Sequence, residues 1–153
     1  MSNITFNVAK GRVVELYNRV KSNDPTNAAI ILVPIETSGL EADATLIDAD
    51  TLAALLSGAT NEQTTMGRKT LTDADLAALP APDDSNDRYD ISLPTTTWTA
   101  ASGNAISKIA VCYDSDTTGG TDSNIIPLTM FDFAQTPSGA DIQMTGGVFF
   151  RAA

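Results

Sequence analysis

The sequence predicts a mainly β protein of the α+β class: an antiparallel β-sandwich with an N-terminal helix and short helical insertions. Three observations lead there. From Arg88 onward, apolar and polar residues alternate, and runs rich in Thr, Val, Ile and aromatics are separated by Pro, Gly, Ser and Asn. An earlier stretch, 7–21, carries the spacing of an amphipathic helix. Apolar residues make up 42% of a 153-residue chain, enough for one packed core.

Each element follows from local pattern. In 7–21, Val13, Leu16, Tyr17 and Val20 fall at i, i+3, i+4 and i+7, with Arg12, Glu15, Asn18 and Arg19 opposite. Gly11 weakens the first turn, so the helix is expected around Val13–Val20. Ser22-Asn-Asp-Pro25 breaks it. The run Ala28 to Ile35 is short, β-branched and continuous, which predicts a buried strand over Ala28–Val33 with Pro34 near its end or on an edge. In the middle of the chain, Asp48-Ala-Asp-Thr-Leu-Ala-Ala-Leu55 echoes Asp73-Ala-Asp-Leu-Ala-Ala-Leu79, and each predicts a short helix capped by its acidic or hydroxyl residues. Residues 61–69 between them are polar and read equally as loop or strand. Strands are then expected at Tyr89–Leu93, around Thr95–Thr99, at Ile106–Tyr113, at Ile125–Phe133 and at the end of the chain, Ile142 to Phe150 with Val148–Phe150 its surest part. The whole, 1–153, reads as a single domain in three parts. These are a helix and strand (1–36), a helical and loop insertion (37–87) and a β-rich half (88–153).

Charge and composition narrow the function. There are 19 acidic and 9 basic residues, a net charge of −10, and no histidine. An acidic field repels phosphate backbones, so nucleic acid is not an expected partner. Without histidine the commonest general base and metal ligand are missing. Cys112 lies in the apolar run Ile109 to Tyr113 and reads as a small buried hydrophobe, not a nucleophile. No Walker loop, Gly-x-Gly-x-x-Gly or Cys-x-x-Cys occurs. The opening MSNITFNVAKGR has no apolar leader pattern, and the longest apolar run is too short to span a bilayer. The expectation is therefore no catalytic residue, no cofactor and no membrane insertion.

Two acidic groups need weighing. Asp48/Asp50 and Asp73/Asp75 are explained by helix capping. Asp114-Ser-Asp-Thr-Thr-Gly119 starts like a calcium loop, and Asp122 would fill position 9, but position 12 is Ile125 where a bidentate carboxylate is required. The loop is read instead as a long hairpin connection, with Gly119-Gly120 supplying positive φ, and no metal is expected at Asp114, Asp116 or Asp122. Six of the nine cations fall in two places: Lys10, Arg12, Arg19 and Lys21 on the helix, and Arg68 and Lys69 beside Met66-Gly67. They read either as a solvated flank or as the contact for an acidic partner.

Tyr89-Asp-Ile-Ser-Leu93, Thr97-Trp-Thr99, Ala105-Ile-Ser-Lys-Ile-Ala-Val-Cys-Tyr-Asp114, Ile126-Pro-Leu-Thr-Met-Phe-Asp-Phe133 and the ending Gly146-Gly-Val-Phe-Phe-Arg-Ala-Ala153 form a set. This set resembles small virion structural proteins of tailed bacteriophages, and the opening Ile4 to Arg19 is similar to versions from phages of actinobacteria. The resemblance rests most firmly on 89–133, and 37–87 departs from the shorter versions. It implies a non-enzymatic β-rich virion component, made in the host cytoplasm and assembled with other virion proteins and copies of itself. A minor tail protein repeated around the tail axis is the first expectation. A capsid decoration protein is the alternative, and a carbohydrate-binding module contacting a host surface glycan is the second.

Overall fold

The computed structural model describes residues 3–153 and is mainly β and antiparallel, a sandwich-like α+β fold as expected. Its elements are β1 (Ile4–Thr5), a 3-10 turn (Asn7–Ala9), α1 (Val13–Lys21), β2 (Ala29–Glu36), α2 (Asp43–Leu46), α3 (Leu52–Leu55), β3 (Lys69–Leu71), α4 (Asp73–Leu76), β4 (Tyr89–Leu93), β5 (Thr96–Trp98), β6 (Ile106–Asp114), β7 (Ile126–Gln135), β8 (Ile142–Met144) and β9 (Gly147–Ala152). Five strands form one sheet in the order β1-β7-β6-β2-β3, and the ribbons β4-β9 and β5-β8 complete the β structure.

The apolar run of β2 is explained by its place. It is flanked by β6 and β3, and every residue from Ala29 to Ile35 is buried, so both faces of the sheet are covered. Pro34 sits two residues before the strand's last residue, Glu36, within its ladder to β6. Its carbonyl accepts from the Gln63 N–H at 2.9 Å, on the side beyond the end of β3. Carbonyl and nitrogen of one strand residue point the same way, so the missing N–H costs the β6 ladder nothing.

Alternation along the strands assigns the two layers. Register puts Lys108 on the face of Ile35, and Lys108 Nζ meets Asp43 of α2 at 3.3 Å, so the 37–66 segment covers that face. Lys69 shares the other face with Leu32, and its ammonium stands 6.0 Å over the Trp98 ring of β5. Trp98 also packs on Phe133, 6.4 Å between ring centres. On the same side, Tyr17 of α1 packs against Tyr89 and Phe149 and donates to the Ser92 carbonyl at 2.9 Å, which joins the helix to the β4-β9 ribbon. Burial pushes the Tyr17 phenol up to about 12, with Tyr89 adding to the effect and the Ser92 bond opposing it.

The helix begins at Val13, as expected: Gly11 takes φ +82° between the 3-10 turn and α1, a conformation that suits glycine. Other expectations are corrected. The final strand is interrupted, with β8 and β9 separated by Thr145-Gly146. Capping by hydroxyl or acidic residues holds through Thr51 and Asp75 and is corrected for Asp48. Thr51 caps α3 through Oγ1 to the Ala54 N–H at 3.1 Å, while Asp48 accepts from the Asn7 side chain. Thr72 caps α4 in a capping box closed by Asp75. Gly119 and Gly120 do not supply positive φ. Gly120 supplies space, because a Cβ there would stand 3.1 Å from the Asp116 carbonyl and 3.2 Å from an Asp114 carboxylate oxygen.

Candidate functional site

The six cations of the two basic stretches fall into different settings. Arg68 lies at the centre of an intrachain cluster. Its Nε and Nη2 meet Glu62 at 2.7 and 2.6 Å, and its Nη1 and Nη2 meet Asp122 at 2.7 and 2.9 Å. These are two bidentate forks from one guanidinium, a geometry a lysine cannot reproduce. They tie the insertion to the β6–β7 loop. Bonding to both carboxylates raises the Arg68 pKa, and the same contact holds Asp122 below the usual carboxylate range. Arg68 therefore faces carboxylates of its own chain, where the sequence placed it among contacts to a neighbour.

The other five are spread out. Arg19 pairs with Glu15 one turn back at 3.0 Å, both well exposed, a contact worth little on its own. Lys21 donates to the Leu79 and Pro80 carbonyls at 2.7 and 3.1 Å, anchoring the segment after α4. Lys69 lies by Trp98, on the opposite face of the sheet from the Arg68 cluster. Lys10 donates to the Asn7 side chain at 2.6 Å, and Arg12 stands exposed as the residue preceding α1. A cation at a helix N-terminus opposes the dipole, so helix stability gives no reason for Arg12 there.

The 115–125 segment connects antiparallel β6 and β7, a hairpin connection. Asp114 accepts from the Asp116 N–H at 3.0 Å, and Asp116 accepts from the Thr118 N–H and hydroxyl at 2.9 and 2.5 Å. The Thr118 bonds pull the Asp116 pKa down. Asp122 is held by Arg68. The three carboxylates thus serve the turn and the cluster, and among the described residues no three acidic or cysteine side chains converge to hold a metal ion. Calorimetry with calcium at physiological ionic strength is expected to show no micromolar binding. Micromolar binding lost in Asp116→Ala would contradict this.

Cys112 is fully buried, and desolvation raises its thiol pKa, so it stays a neutral packing group. All three Tyr and the single Trp are buried as well, at 7% exposure or less. They offer no aromatic platform of the kind a glycan-binding surface uses.

What the sequence did not reveal is an apolar groove of about 170 Å³ where the two layers meet. Phe131 of β7, Leu93 of β4, Met144 of β8 and Val148 and Phe149 of β9 form its walls, and none of its lining residues is ionisable. Val148 is 51% exposed, the one large apolar side chain so exposed among the described residues. A β-bulge explains why neighbours in sequence share the wall: Ile91 pairs with Phe150 but Ser92 with Val148, leaving Phe149 unpaired. The sequence signal was Gly146-Gly147 before a Val-Phe-Phe run, which marked a turn or bulge without showing where the side chains aim.

No protein-family model matches this chain. No curated protein matches it, and no solved structure does.

Proposed function

We propose that this chain is a non-enzymatic structural component of a tailed-phage virion, a minor tail protein acting by symmetric protein–protein assembly. Support comes first from the resemblance of residues 89–133. Those residues fold as β4 to β7, the framework on which the groove is built. The observation that carries the reading is the distribution of side chains. Arg68, Glu62, Asp122, Lys21 and Asp116 are engaged in holding loops and layers together, while an uncharged apolar groove and the cations Lys10 and Arg12 are left at the surface. Such a surface suits docking to other proteins.

Localisation on intact particles by cryo-electron microscopy, backed by mass spectrometry of purified virions, tests the proposal. Density for the chain in the tail supports it. Density on the head replaces it with capsid decoration, and absence from particles refutes both. A mutational test follows from Lys10 and Arg12. Reversing both to Glu is expected to lower incorporation into particles while leaving thermal stability within about 0.5 kcal/mol, because both side chains are exposed and an acid before α1 suits its dipole. The docking should also weaken with salt. Normal incorporation of the folded double variant would remove electrostatic docking at this end of α1.

A further inference from the structure

We draw no further inference here: the strongest candidate, the small apolar groove between β4, β7, β8 and β9, carries none because nothing in the structure shows what covers it.

Discussion

Trp98→Ala is expected to lower the unfolding free energy by about 3–5 kcal/mol. The ring is 1% exposed and bridges the layers, with Phe133 on one side and the Lys69 ammonium 6.0 Å from its centre. Its N–H donates to the Gly67 carbonyl at 2.9 Å, so truncation removes packing and also leaves that carbonyl without its donor. Trp98→Phe separates the two contributions, because it keeps much of the ring volume and loses the N–H. It should cost less than the Ala variant, and the difference reports the cavity. Urea unfolding followed by far-UV circular dichroism is the measurement, since the chain's one tryptophan is the residue removed. A loss below about 1 kcal/mol in Trp98→Ala would contradict its role between the layers.

Arg68→Ala comes next, with an expected loss of about 1–3 kcal/mol. Removing one partner of a fully buried ion pair costs about 3–5 kcal/mol, but Arg68 and Asp122 are 28% and 37% exposed, and water screens part of that. Glu62 is the most enclosed of the three at 12% exposed, and it is left without its fork. The cluster also sets an acid response. The Asp122 pKa in the folded chain lies below its ordinary value of 3.8, chiefly through the Arg68 hydrogen bonds. Between the two values the unfolded chain binds more protons, so stability rises with pH there. The contribution is complete above the unfolded value and is lost as pH falls through the folded one. Arg68→Ala should therefore flatten the stability curve below about pH 4 as well as lower it near neutrality. Arg68→Lys should fall between wild type and Ala, because an ammonium cannot make two forks. An Arg68→Ala variant with wild-type stability and wild-type acid slope would show that the cluster does not hold the insertion.

The β-rich half was readable from sequence because its pattern is local. Tyr89–Leu93 stands where alternation put it, and Ile106–Asp114 and Ile126–Gln135 extend the expected strands by a residue or two. The amphipathic spacing of α1 was equally plain, since its buried residues are Val13, Leu16, Tyr17 and Val20. The middle was not. Its helices are four residues long, too short to hold by propensity, and they exist because Leu46, Leu52, Leu55 and Leu76 are buried against the rest of the chain. β3 is a strand because β2 offers it an edge, from Leu71 beside Ile30 to Lys69 beside Leu32.

The candidate site divides the same way. Composition alone determined that the chain has no histidine chemistry and carries a strong acidic charge, because those properties need no coordinates. Which cations are exposed was decided by contacts across long separations: Arg68 meets Asp122, 54 residues away, and Lys21 meets the Leu79 carbonyl, 58 away. The groove needed more still. Phe131, Leu93, Met144 and Val148 lie on four strands, and a one-residue bulge sets the direction of the last. Periodicity reports which residues share a face of one element. Only packing brings faces together, because burial is a property of neighbours that the local sequence does not contain.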